Sequence, residues 1–265
     1  MIFENVLLAS DFDGTLKNDD GIITDDVKSA IAYFMENGGK FTVCTGRIFQ
    51  GFHLYSKDYI NAPVLLGNGA MAYDYDNNKV IFNDAIGDEG LACIKDILNS
   101  FPDVAIEFYN INKVCAINLN SFSEQHFTSQ GIHFETITKP EDAPLPWTKV
   151  MIAAHGCSQG VQNILENHPE VNYLKTTGNY VEILKKGVDK GTGLLKLAKA
   201  IGCAPQDTYS AGDGYNDVEM LVAAKAGFVP ENGSHEALAV GKYITRSNND
   251  GCIANAIEIL NDIYK

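Results

Sequence analysis

Val6-Leu7-Leu8-Ala9-Ser10 runs directly into Asp11-Phe12-Asp13-Gly14-Thr15-Leu16, and this junction decides the fold. A short apolar run of this kind is expected of a strand buried on both faces of a sheet. A helix should follow, with Thr24 as its cap and Asp25 and Asp26 in its first turn. Val27, Ala30, Ile31 and Phe34 fall at i, i+3, i+4 and i+7, one face of a helix, and Gly38-Gly39 ends it. Phe41-Thr42-Val43-Cys44 is a second strand, a looser Tyr/Phe-rich helical stretch follows, and Val64-Leu65-Leu66 is a third. Strand, helix, strand, helix, strand predicts a parallel sheet with right-handed crossovers.

The C-terminal third resumes that rhythm. A helix is expected over about 191–201, with Leu194, Leu197, Ala198 and Ile201 on one face. A strand at 207–211, a short helix at 216–224 and a final helix at 251–263 complete it. Residues 83–185 read differently. Helices near 87–101, 121–130 and 158–167 separate strand-like runs at 104–109, 114–119, 132–136, 150–153, 171–175 and 180–184. Paired strands favour an antiparallel sheet with helices on one face. The expected organisation is an α/β core of residues 1–82 and 186–265, interrupted by an inserted α+β domain at 83–185.

The 265 residues carry 34 Asp plus Glu against 20 Lys plus Arg, a formal charge of −14. That balance disfavours nucleic acid and anionic membranes as partners, because Lys and Arg supply the affinity for both. The insert holds 13 acids and 6 bases and the remainder 21 and 14, so global charge singles out neither part. A 45% hydrophobic content excludes a disordered chain. No apolar run approaches the ~18–20 residues of a membrane span, and no signal-peptide pattern is visible. Cys44, Cys93, Cys115, Cys157, Cys203 and Cys252 lie at least 22 residues apart, which excludes CxxC and zinc-ribbon spacings. They are expected to be reduced thiols in a cytoplasmic protein, for which a monomer is compatible.

Polar residues gather where the core strands end. Strand one ends in Asp11–Leu16, strand two in Thr45-Gly46-Arg47, and the 207–211 strand in Gly212-Asp213-Gly214-Tyr215-Asn216-Asp217. Lys190-Gly191 opens the helix after the insert. In an open parallel sheet the carboxyl ends of strands converge on one crevice, where ligands bind. Asp11, Asp13, Asp213 and Asp217 against Lys190 leave a charge of −3, a cluster that repels itself unless a cation joins it. Oxygen-only donors select a hard cation, and Mg²⁺ suits a few carboxylates beside a phosphate. Lys190 and the Thr45 hydroxyl offer a cation and a donor to phosphoryl oxygens. Backbone N–H groups of the 13–15 turn and of the helix start at Lys190 add further donors. The assembled site clamps a phosphoryl group around a carboxylate nucleophile.

DxDGT at 11–15, TGR at 45–47, Lys190-Gly191 and GDGxND at 212–217 resemble, in order and spacing, the haloacid dehalogenase superfamily of phosphotransferases. The resemblance implies a Rossmann-like three-layer core with a parallel sheet. It implies that Asp11 attacks phosphorus to form an aspartyl phosphate and that Asp13 protonates the leaving alcohol and then deprotonates water. Thr45 and Lys190 would hold the phosphoryl group. Asp11, the Asp13 backbone carbonyl and Asp213 would hold Mg²⁺, with Asp217 supporting the metal or Lys190. Phe12, Gly14, Gly46, Arg47 and Asn216 would join the substrate side. Family ATPases carry Thr where Asp13 stands, so phosphatase or mutase chemistry is implied.

The loop at 17–23 is too short for a cap, whereas the long insert follows Asn68-Gly69-Ala70. That layout is similar to the Cof-type phosphatases, whose α+β cap of the second class sets substrate specificity. One departure is Gly227-Phe228-Val229-Pro230-Glu231-Asn232-Gly233, where these proteins often carry a Gly-Val-Ala-Met-Gly-Asn-Ala-like run; Asn232 matches the asparagine. The implied activity is Mg²⁺-dependent hydrolysis of a small phosphorylated metabolite such as a sugar phosphate. A phosphomutase of the same fold and a non-catalytic phospho-ligand sensor are the alternatives.

Blander readings are available for single motifs. An EF-hand requires Gly where Leu16 stands, a Cys-x5-Arg phosphatase loop at Cys44 requires Arg where Gln50 stands, and a dinucleotide fingerprint at Gly212 requires Gly where Asp217 stands. Arg47, one of two arginines with Arg246, suits a structural ion pair slightly better than a substrate contact. No histidines pair at i, i+4. Trp147 is expected to anchor a loop of the insert, and Phe108, Tyr109 and Tyr180 to pack its core rather than line a pocket. Lys190 alone would be a solvated lysine; four motifs in order, each at an element terminus, outweigh these readings.

Overall fold

A computed structural model of the chain describes residues 1–53, 55–175 and 179–265. In chain order the elements are β1 (Leu7–Ser10), α1 (Asp25–Glu36), β2 (Lys40–Val43), β3 (Val64–Leu66), β4 (Met71–Asp74), β5 (Lys79–Asn83) and α2 (Glu89–Ser100). Then come β6 (Ala105–Asn110), β7 (Lys113–Ile117), α3 (Ser121–Gln130), β8 (Glu135–Thr136), β9 (Lys149–Ala153), α4 (Ser158–Leu165), β10 (Val171–Lys175) and β11 (Tyr180–Lys185). The chain closes with α5 (Lys190–Ala200), β12 (Thr208–Ala211), α6 (Val218–Ala223), β13 (Ala226–Pro230), α7 (His235–Val240), β14 (Tyr243–Thr245) and α8 (Cys252–Tyr264).

The structure divides into two compact units, Met1–Gly46 with Leu54–Phe82 and Asp189–Lys265, and Arg47–His53 with Asn83–Val188. In the first, a five-stranded sheet has the order β14-β13-β12-β1-β2, with every pair parallel. Strand order reverses beside β1, which places its carboxyl end at the switch point where α/β sheets bind ligands. All four β1 residues are buried. Leu7 and Ala9 pack with Leu194, Leu197 and Ala198 of α5 and Met220 of α6 on one face. Leu8 and Ser10 point to the other face by strand alternation. There α1, which buries Val27, Ile31 and Phe34, packs against α8. This is the expected α/β core with a parallel sheet between helical layers.

The second unit carries a six-stranded sheet of order β10-β11-β9-β6-β7-β8, antiparallel except at β7–β8. One face buries Ile106, Phe108, Val150, Ile152, Val181 and Ile183 against Ile94 and Ile97 of α2 and Val161 and Leu165 of α4. Trp147 and Phe108 sit in this core, with ring centroids 4.8 Å apart, so both pack as expected. The opposite face packs Tyr109, Val114, Ala116 and Met151 with Phe127 of α3 and with Ile48, and Tyr180 lies against this cluster. Helices therefore cover both faces, not one. The β7–α3–β8 crossover carries α3 to the far side.

Other expectations change for local reasons. Among the described residues of the 48–60 stretch, the only helical element is a 3₁₀ turn at Phe49–Gly51. Tertiary contacts override its propensity: Ile48 joins the second unit's cluster, and Gln50 Nε2 donates to the carbonyls of Asn110 and Ile111, each at 2.9 Å. β3 meets β2 through a single bridge, Cys44–Leu65, and forms its ladder with β4 instead. The strand expected at 132–136 shrinks to Glu135–Thr136. Thr24 occupies the cap position of α1, yet its hydroxyl makes no capping bond.

Candidate active site

Four segments of the first unit meet where β1 and β12 end. Ser10 pairs with Ala211 in register. The Asp11 N–H then donates to the Ala211 carbonyl at 2.8 Å, so the next residues of both strands leave the sheet side by side. Asp11 is 7% exposed. Lys190 reaches it from the first position of α5. That helix is started by Asp189, whose carboxylate accepts from the Thr192 N–H at 2.7 Å while the Thr192 hydroxyl accepts from the Asp189 N–H at 3.0 Å. This reciprocal cap satisfies two orphan donors and fixes where the lysine emerges. Gly69, at φ +89°, allows the chain after β3 to approach this helix start; a Cβ there would stand 3.1 Å from the Lys190 Cα.

Lys190 is 1% exposed, and its Nζ donates to Asp11 Oδ1 and to Asp217 Oδ1, each at 2.6 Å. Asp217 is fully engaged by the protein: its Oδ2 accepts the backbone N–H of Asp213 at 3.1 Å and of Gly214 at 2.8 Å. Its geometry is that of a carboxylate that holds the lysine and shapes the 213–217 turn. Asp213 accepts the Thr15 hydroxyl at 2.5 Å through Oδ1. Gly14, at φ +92°, leaves room beside it, because a Cβ there would lie 2.8 Å from Asp213 Oδ2.

One oxygen each of Asp11, Asp213 and Asp217 falls within 4.8 Å of the others. Three carboxylates and one ammonium sum to −2. The electrostatics match. Burial, opposed by Lys190 and reinforced by Asp217 and Asp213, pushes Asp11 up to about 8. Burial also raises Asp213, against the Thr15 hydrogen bond. Burial works against charge on Lys190, but Asp11 and Asp217 outweigh it and hold its pKa above the usual lysine range. Burial with only one compensating ammonium keeps Asp11 and Asp213 from ionising easily, which a bound cation would relieve. The donor atoms are oxygens throughout, the chemistry of a hard divalent cation.

The remaining expected residues fall as follows. Thr45 is buried at the end of β2, with its N–H on the Leu65 carbonyl. Asn68, buried and at φ +53°, donates its N–H to the Thr45 carbonyl and accepts from Asn216 Nδ2 at 3.2 Å. It thereby ties the second motif to the fourth, and Gly46 lies against it, a Cβ there falling 3.1 Å from Asn68 Oδ1. The Phe12 side chain is wholly buried, and its carbonyl accepts from the Lys17 N–H at 3.0 Å. Asp13 stays outside the acidic set: its carboxylate, 50% exposed, pairs with Lys17. Arg47 groups with the second unit. Burial raises the Cys44 thiol far above its ordinary range, the opposite of what a cysteine nucleophile needs.

Comparisons with known proteins place the chain in a family. The family described as haloacid dehalogenase-like hydrolase matches residues 8–257. The phosphatase-named YxeH of Bacillus subtilis is 27% identical, the match spanning 96% of this chain and 97% of that one. The 5-amino-6-(5-phospho-D-ribitylamino)uracil phosphatase YwtE of the same organism is 24% identical over 96% and 97%. In fold, a solved HAD subclass IIB sugar phosphatase, BT4131, superposes with a TM-score of 0.85 at 19% identity over 96% and 98% of the two chains. A parallel core, a buried Asp–Lys–Asp triad and this family match belong together: the chain is a member of the haloacid dehalogenase-like hydrolases. Within that family it is a phosphatase of the Cof type.

Proposed function

We propose that this phosphatase is a Mg²⁺-dependent phosphomonoesterase for a small phosphorylated metabolite, with a sugar phosphate as the substrate class, working through an aspartyl phosphate on Asp11. The observation that carries the reading is the buried Asp11 carboxylate held at 2.6 Å by Lys190, inside a set of three carboxylates that this one ammonium balances only in part. A phosphoribityl compound in the name of one relative and a sugar phosphatase among its structural neighbours support the substrate class. The specificity role expected of the inserted domain belongs to the same proposal.

Asp11, Asp213 and the Asp13 backbone carbonyl are the residues that would hold Mg²⁺. When bound, the ion neutralises charge on the phosphoryl oxygens as a Lewis acid. An Asp11 oxygen attacks phosphorus, and the bond from phosphorus to the alcohol oxygen breaks. Asp13 gives that oxygen its proton. Lys190, kept cationic by Asp11 and Asp217, stabilises the transferring phosphoryl group together with the Thr45 hydroxyl. Water then attacks the phosphoryl group on Asp11, Asp13 takes the proton, and phosphate leaves with Asp11 restored.

The test is phosphate release from a panel of phosphomonoesters with Mg²⁺, combined with acid-quench trapping of labelled phosphoprotein. Label should appear on the wild-type chain and be absent from Asp11→Asn. Return of the phosphoryl group to a second hydroxyl of the substrate indicates a mutase instead, and no turnover of any ester defeats the reading.

Metal binding has its own readout. A ligand at about 100 times its Kd stabilises by ~2.7 kcal/mol, and proteins of this size shift by roughly 2–4 °C per kcal/mol. Saturating MgCl₂ should therefore raise the melting temperature by roughly 5–10 °C, and Asp213→Asn should lose most of that shift. An equal shift in wild type and variant rules Asp213 out of the metal set.

A further inference from the structure

Lys17 stands four residues beyond Asp13, and its Nζ lies 3.4 Å from Asp13 Oδ1. Lysines ordinarily keep their ammonium in water on a mobile stem. This one is 12% exposed although its partner is 50% exposed, because the fold encloses it. The ammonium sits 4.9 Å from the centroid of the buried Phe12 ring. On its other side the 18–22 turn closes over it: a Cβ on Gly21 would stand 3.6 Å from both Cε and Nζ. Asn18 makes that turn, its carbonyl accepting from the Gly21 N–H and its side chain from the Ile22 N–H.

The backbone of Lys17 is clamped as well. Its N–H donates to the Phe12 carbonyl at 3.0 Å, and its carbonyl accepts from Asn248 Nδ2 at 3.2 Å. Asn248, 3% exposed, is locked in turn. Its Oδ1 accepts from Asn232 Nδ2 at 2.8 Å and its N–H donates to Asn232 Oδ1 at 3.2 Å. The neighbouring Asp19 is held by the Asn248 and Asn249 side chains. The Gly227–Gly233 run that departs from the family pattern thus keeps its asparagine for a specific contact.

We propose that Lys17 is a positioning residue for the acid–base Asp13. Its caged ammonium fixes one carboxylate oxygen and so orients the group that delivers the proton to the leaving alcohol. The inference rests on the phosphatase reading of Asp13 above. A flexible lysine on the surface would need none of this enclosure.

Leaving-group chemistry separates positioning from a structural role. An alkyl phosphate needs its oxygen protonated as it departs, whereas p-nitrophenolate departs unaided. Misplacing a catalytic group costs on the order of 10–100-fold. Lys17→Met should therefore lower kcat/KM for an alkyl sugar phosphate by ~10-fold or more. It should lower kcat/KM for p-nitrophenyl phosphate by less than about threefold, with Lys17→Arg recovering most of the loss. Asn248→Ala, which loosens the clamp but leaves the ammonium, should show the same asymmetry at smaller size. Equal losses on both esters, or no loss on the alkyl ester, overturn the proposal. Wild-type protein that cleaves neither ester defeats the phosphatase mechanism itself, a result distinguishable from either of these.

Discussion

Asp11→Asn is expected to lose phosphate release by at least about 10⁴-fold, as enzymes do when the nucleophile is removed, while melting no lower than wild type. The amide occupies nearly the same volume but cannot form the phosphoryl ester. Stability is preserved because Asp11 is a costly resident: burial and two neighbouring carboxylates push its pKa up to about 8. Lys190 retains Asp217 at 2.6 Å when Asp11 is neutralised. The sign of the pH dependence follows. A group whose pKa is raised on folding holds a proton in the native state that the unfolded chain has already released, so stability falls as pH rises between the two values. For Asp11 that window runs from its ordinary 3.8 to about 8. With EDTA present, Asp11→Asn should gain on wild type in thermal melts as pH rises through this window. Residual turnover within tenfold of wild type, or a variant that loses ground as pH rises, counts against Asp11 as the buried nucleophile.

The residues of the candidate site could be picked out in the sequence because they sit where chain geometry is most constrained. Asp11, Thr45 and Asp213 each follow the last residue or two of a buried strand, and the end of a parallel strand is a place that pattern alone can locate. Lys190 was located by the Lys190-Gly191 pair opening the helix after the insert, while the Asp189–Thr192 cap that fixes it was not read. What could not be read depends on long-range contacts. Asn68 becomes part of the site only when Asn216 reaches it from 148 residues away. Lys17 looks like any loop lysine until Asn248 is brought to its carbonyl. The 48–60 stretch has helical composition, but Ile48 and Gln50 are claimed by the second unit. β13 and β14 escaped because Gly227 and Pro230 mask the first, and the second, three residues long, is too short to show a period.

Lys190→Met separates the two functions of the triad that Asp11→Asn leaves merged. The ammonium is the only positive group bonded to the acidic set among the described residues, and it is 1% exposed. Methionine matches its length and suits a dry site, so the effect is one of charge. Removing one partner of a buried ion pair typically costs about 3–5 kcal/mol, because the other is left uncompensated. At roughly 2–4 °C per kcal/mol, the metal-free melting temperature should fall by about 10 °C. Turnover should fall by about 10³-fold or more, since a single transition-state donor is worth ~10²–10³ and Lys190 also holds Asp11. The double variant Lys190→Met/Asp217→Asn then decides which loss is which. Neutralising Asp217 removes one stranded charge and should restore at least half of the lost stability, a coupling expected of residues in direct contact. It should restore no turnover, because nothing replaces the cation at the phosphoryl group. If stability and activity return together, Lys190 serves the fold alone. If neither returns, Asp217 acts on the substrate side and not as the lysine's anchor.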